Sequence, residues 1–149
     1  MSKHFNSQQL HMQGLATVEF TLLATVFFLA LFVMIGFAKA IYTYNAAAEA
    51  TRFGARLAVV CDPTTAQANI IKTKMVAKVP GLAAGNITVN YVPAGCSFST
   101  CTTATVAIAG FNLVIATPSS YSLNNLVVPS FSSTLVRESM NSTNNAVCS

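Results

Sequence analysis

The chain has 149 residues, 53% of them hydrophobic and only 8% charged, with eight Lys+Arg against four Asp+Glu and a formal net charge of +4. An ordinary soluble domain carries roughly 25% charged residues, so this composition excludes general disorder and argues against a wholly soluble protein. The positive balance reflects a shortage of acids rather than basic runs, and without aromatic-interleaved basic segments no nucleic-acid partner is expected.

The two histidines, His4 and His11, fall in the first dozen residues. If that stretch is removed, no imidazole is left for a His-based metal site or for a Ser-His or Cys-His nucleophilic pair. The few carboxylates argue equally against paired-acid hydrolysis. Neither enzymatic activity nor a metal or small-molecule cofactor is expected.

Residues 1–14 form a short polar leader ending in Gly14. Residues 15–38, LATVEFTLLATVFFLALFVMIGFA, follow, and no charge appears between Glu19 and Lys39. Some twenty apolar residues in a helix rising about 1.5 Å per residue cross the hydrocarbon core, so this segment is expected to span the lipid bilayer. A removable secretory signal carries an apolar stretch of only about 7–15 residues. Ala38-Lys39-Ala40 imitates its cleavage site, but the extra length, the lysine within that site and the embedded Glu19 count against that reading. Charge alone places the C-terminus in the cytoplasm, because Lys3 precedes the span while Lys39, Arg52 and Arg56 follow it. The cysteines, all beyond the span, argue for the opposite orientation.

Glu19 carries the functional question. An ionisable side chain in a membrane segment is costly, about 2.5–3.5 kcal/mol for Asp at the helix centre on insertion scales, and so points to a role. Decoration of the helix N-terminus would be the bland explanation. A cationic partner for the carboxylate within the lipid would be the sharper one.

The helix is expected to continue through residues 40–60, which are alanine-rich and free of proline. Residues 15–60 would then form a helix of about 70 Å. Ala50, Gly54 and Ala58 make a small-residue stripe that admits close helix packing, against either another subunit or this protein's own sheet. Glu49, Arg52 and Arg56 fall on the other side at ion-pairing spacings. Asp62 is expected to cap a second helix, with Pro63 at its first position and Pro80-Gly81 ending it. Its apolar positions are Ala68, Ile71, Met75 and Val79, while Lys72, Lys74 and Lys78 project into solvent or toward anionic lipid.

The period then changes to two. Residues 86–92 read as a strand with Ile87, Val89 and Tyr91 on one face. Residues 103–115 read as a second strand whose inward set shifts at Gly110, from Val106 and Ile108 to Phe111, Leu113 and Ile115, implying a bulge or bend. Residues 118–130 read as loop, and 131–140 as a third strand. The fold class is therefore α+β: a long N-terminal helix, a short second helix and a small antiparallel sheet of about three strands.

The four cysteines suit two disulfides in an oxidising compartment. Of three possible connectivities, the favoured one pairs Cys96–Cys101 across a short inter-strand loop and Cys61–Cys148 between helix end and tail. A zinc site is the weaker alternative, for want of a second close pair or a histidine.

Glycine, four small or apolar residues, glutamate and an aromatic, here Gly14 to Phe20, resemble the class III signal of type IV pilins and pseudopilins. The longer opening GLATVEF, the arginine-bearing helix AAAEATRFGARLAVV and the strand STLVRES, with Arg137 and Glu138, resemble TadE-like proteins of the tight-adherence (Flp) pilus system. The resemblance implies a minor pilin or pseudopilin cut by a prepilin peptidase between Gly14 and Leu15. That cut would create an α-amine on Leu15, with an ordinary pKa near 8, and Glu19, the fifth residue of the shortened chain, could pair with it in the same or a neighbouring subunit, the resemblance implying the neighbour. Glu19 and Phe20 would then act in processing and assembly, and other pilins of the bacterial inner membrane would be partners. It implies a cytoplasmic leader (1–14), a membrane helix half (15–38) and a periplasmic pilin-like domain (39–149), and leaves open incorporation into an extracellular pilus. The alternative is a signal-anchored envelope binding or adhesion protein outside any pilus.

Overall fold

The computed structural model describes residues 4–115 and 123–148, with side chains described for 14–112 and 128–148. Helix α1 spans His4–Val60 and helix α2 Thr65–Val76. Five strands follow a short 3-10 turn: β1 (Ile87–Val92), β2 (Thr103–Ile108), β3 (Asn112–Ile115), β4 (Leu123–Val127) and β5 (Phe131–Val136). The α+β class holds. The chain divides into two compact units at Ala38/Lys39.

The first unit is α1 up to Ala38. Leu15 and Phe20 are each 73% exposed, and Val33 and Met34 each 71%. A helix with apolar side chains outward all round has no water-compatible face, which is the property of a membrane span. The most apolar part of α1 has a mean hydropathy of 2.5 and is long enough to cross a bilayer.

The second unit is built on a three-stranded antiparallel sheet in the order β1-β2-β5. Ile87 pairs with Ile108 and Ile108 with Phe131, and at the other end Val92 pairs with Thr103 and Thr103 with Val136. In β2 Ala104, Val106 and Ile108 are buried while the residues between them are less so, the signature of a sheet with one core face. Ala47, Ala50, Ala55 and Ala58 of α1, Ile71 and Met75 of α2, and Ile87, Val106 and Ile108 of the sheet share one hydrophobic core. The rings of Tyr44 and Phe131 meet edge to face at 4.8 Å. The buried hydroxyls of Thr43 and Thr51 donate to the carbonyls of Lys39 (2.9 Å) and Ala47 (2.8 Å), so neither is left unsatisfied.

Several expectations are corrected. Thr64, not Asp62, caps α2: its backbone is extended (φ −106°, ψ 155°) and its hydroxyl accepts the Gln67 N–H at 3.3 Å. Asp62 instead gives its own N–H to the Ser142 hydroxyl at 2.9 Å, which holds it against the tail. The α-helix stops at Val76, and Val79 is buried beyond its end, in the turns that precede Gly81 (φ 82°). The second strand ends at Ile108, because Gly110 takes φ 66°, which breaks the ladder and redirects the chain.

The segment beyond Gly110 is a separate strand, β3, and part of the expected loop at 118–130 is β4. The two form their own antiparallel pair, Asn112 opposite Val127, with a register irregularity between Leu113 and Ile115. The inward positions expected at Leu113 and Ile115 lie outside the described side chains, whereas Phe111 is buried. β5 ends at Val136 rather than continuing to Met140, since the chain leaves the sheet to cap α1. Lys74 and Lys78 are not simply solvated. The Lys74 ammonium donates to the Val147 carbonyl at 2.8 Å, and the Lys78 ammonium sits 4.5 Å over the Phe53 ring.

Candidate functional site

The candidate site is the first stretch of α1 whose side chains are described, beginning at Gly14. The helix runs unbroken across Gly14, and a Cβ added there would meet nothing within 4 Å. The glycine is therefore not required by packing within this chain. Leu15 and Glu19 lie one helical turn apart on the same side of α1, separated by a rise of about 6 Å. Both are exposed, and Phe20 beside them presents its ring outward. Arg52–Glu49 (3.1 Å) is the ion pair among the described residues, so Glu19 has no cationic partner there.

This part of α1 satisfies its polar side chains internally. Thr17 donates to the Gly14 carbonyl at 2.8 Å, Thr21 to Thr17 at 2.7 Å and Thr25 to Thr21 at 2.8 Å. Hydroxyls bonded back along the helix make the threonines compatible with hydrocarbon and leave a low ridge for a neighbour to pack on. The threonines were not singled out in the sequence, although their spacing of four was visible there. Glu19 is the exception, the one group of this stretch whose charge the helix itself cannot answer.

The stripe residues lie elsewhere. Ala50, Gly54 and Ala58 are buried in the second unit, and a Cβ on Gly54 would collide with the Met75 sulfur and come within 3.2 Å of Val106 Cγ1. Of the two readings of the stripe, its own α2 and sheet are what occupy it. Outward from α1 here face Tyr42, Asn45, Glu49, Arg52 and Arg56.

Cys61 is bonded to Cys148 and Cys96 to Cys101. The first bond anchors a tail that finishes α1. The Val59 carbonyl accepts the N–H of Glu138 (3.1 Å) and Met140 (3.2 Å), and the Val60 carbonyl accepts the Asn141 N–H (2.8 Å) and the Ser139 hydroxyl (3.2 Å). The Arg137 guanidinium leaves the sheet edge to donate to the carbonyls of Phe98 (3.1 Å) and Ser99 (2.6 Å). Tyr91 reaches into the core without a hydrogen-bond partner for its hydroxyl among the described residues, and burial pushes its pKa above 10.0. Among the described residues no group of three or more His, Cys, Asp or Glu could hold a metal ion.

Residues 14–56 match the family model for TadE-like protein. The matched stretch begins at Gly14 and takes in Glu19, Phe20, the whole apolar run, Ala50 and Gly54. Ala58 and all four cysteines lie beyond it. Over this stretch the chain is similar to TadE-like proteins, which fits a pilin-like component of the tight-adherence system. No curated protein and no solved structure matches the chain.

Proposed function

We propose that this chain is a minor pilin or pseudopilin of a tight-adherence (Flp) type IV-related pilus. The leader, residues 1–14, sits in the cytoplasm. The span crosses the inner membrane, and residues 39–149 stand in the periplasm, where two disulfides are stable. A prepilin peptidase cuts between Gly14 and Leu15, and the mature helix then packs against helices of other pilus subunits. The protein does no chemistry of its own; it is the peptidase's substrate.

One observation carries the reading: a TadE-like match that starts at the proposed cleavage glycine and takes in an outward-apolar stretch, residues 15–38, with one carboxylate, on the fifth residue after the cut. In lipid that carboxylate needs a cation. The new α-amine of a neighbouring subunit supplies one, and each such pair sets the axial register of two helices that otherwise slide on apolar surfaces. The tail-capped second unit keeps the far end of α1 ordered while its near end is in lipid.

N-terminal mass mapping of the protein isolated from membranes tests this. The expected mature start is Leu15, and Gly14→Leu is expected to leave the leader attached. An intact N-terminus, or a start at Ile41 after a conventional signal cleavage, would favour a simple anchored envelope protein.

A further inference from the structure

A cleft of about 530 Å³ opens in the second unit where three segments meet. They are the α1–α2 connector at Asp62, the loop bearing Cys96 and Phe98, and the tail at Asn141 and Thr143. Its walls are fixed before anything binds. Cys61, next to Asp62, is tied to Cys148, and the loop is closed by Cys96–Cys101. The Arg137 guanidinium holds the same loop by two carbonyls.

The Asp62 N–H is engaged by Ser142, but its carboxylate has no hydrogen bond or ion pair among the described residues. Phe98 lines the same cleft and is 59% exposed. An unanswered carboxylate and an open aromatic face in one preformed concavity make a receptor for a guanidinium. The planar fork binds the carboxylate, and the cation lies against the ring.

The described cations narrow the choice of occupant. Arg52 is paired with Glu49, Arg137 bonds carbonyls, Lys74 bonds Val147 and Lys78 lies on Phe53. Arg56 stands on the exposed face of α1 and makes no such contact among the described residues. Lys39 and Lys72 carry ammonium groups, which offer neither the planar fork nor the stacking surface.

We infer that the Asp62–Phe98 cleft receives the Arg56 side chain of a second copy of this chain. The inference rests on the reading of the protein as a pilus subunit and adds a subunit contact outside the membrane. Arg56 of one copy against Asp62 of another is made twice across a twofold axis, or once per interface where copies stack head to tail.

The test uses the protein purified from membranes, in lipid nanodiscs or detergent. Self-association is followed by energy transfer between labelled copies, for the wild type, Asp62→Arg, Arg56→Asp and the double reversal. Each single reversal is expected to weaken association about tenfold, and the double reversal to restore it to within about twofold, because only the pair recreates complementary charge. Phe98→Ala is expected to weaken it as well. Unchanged association in the single variants, a double variant as weak as the singles, or no self-association of the wild type would overturn the inference. Circular dichroism of each variant separates lost contact from lost fold. Cleavage after Gly14 is scored on the same samples, so failure of the contact and failure of the pilin reading are distinguishable.

Discussion

The Asn141 N–H donates to the Val60 carbonyl at 2.8 Å, placing a residue near the end of the chain on the last residue of the long helix. The final carbonyls of an α-helix lack partners within the helix. Here the C-terminal tail supplies them, and the Cys61–Cys148 bond holds it in place. The longest element is thus finished by the last segment of the sequence, and the second unit is closed end to end.

That closure makes the two disulfides unequal. Cys61–Cys148 spans 87 residues and Cys96–Cys101 spans five. In the chain-entropy account the first contributes about 4–5 kcal/mol and the second about 2 kcal/mol. Replacing each pair by serine and melting the second unit by circular dichroism should show the larger loss for Cys61/Cys148. Amides near Val60 should lose hydrogen-exchange protection in that variant only.

Gly54 is the tightest approach between α1 and its own domain. Gly54→Val would drive methyls into Met75 and Val106, both fully buried. Overpacking of this kind costs about 1–3 kcal/mol, more than helix propensity returns. Denaturant titration should show a lower midpoint, partly recovered when Met75→Ala is added to make room.

The cap of α2 gives a sharper contrast. Thr64→Ala should cost about 1 kcal/mol, because it removes the acceptor of the Gln67 N–H. Asp62→Ala should leave the stability of the isolated protein nearly unchanged, since its structural bond comes from its backbone. Thermal melts of the two variants decide the order.

Tyr91 makes the domain sensitive to alkali. Its hydroxyl titrates above 10.0 in the fold because burial disfavours the phenolate, so around that pH the unfolded chain loses this proton first. Stability from this source is present below pH about 10 and is lost as the pH rises through the unfolded value toward the folded one. Tyr91→Phe should flatten that loss in melts between pH 9 and 11. It should cost little at pH 7, because the hydroxyl it removes has no partner among the described residues.

What could be read in advance was what is local. The apolar run from Phe20 to Ala38, the helical spacing of Ile71 and Met75 and the alternation of Ile87, Val89 and Tyr91 each express one element's periodicity. The Gly14–Glu19–Phe20 pattern is likewise contiguous. β4 escaped because Leu123–Val127 contains two asparagines, poor strand formers, and is held only by pairing with β3. Asp62 and Thr64 are both acceptable caps, and the structure that uses Thr64 ties the Asp62 N–H to Ser142, 80 positions away. The Lys78–Phe53 contact, the tail bonds to Val59 and Val60 and the Asp62 cleft all join residues distant in sequence, and composition carries no trace of them.

The central claim is that a newly exposed amine on one subunit and the Glu19 carboxylate of the next hold packed helices in register. Assembly of the Glu19→Gln variant into membrane-extracted oligomers or fibres tests it directly, in material shown by mass to begin at Leu15. The account predicts that cleaved Glu19→Gln protein inserts and folds but fails to assemble. Assembly equal to that of the wild type would contradict it.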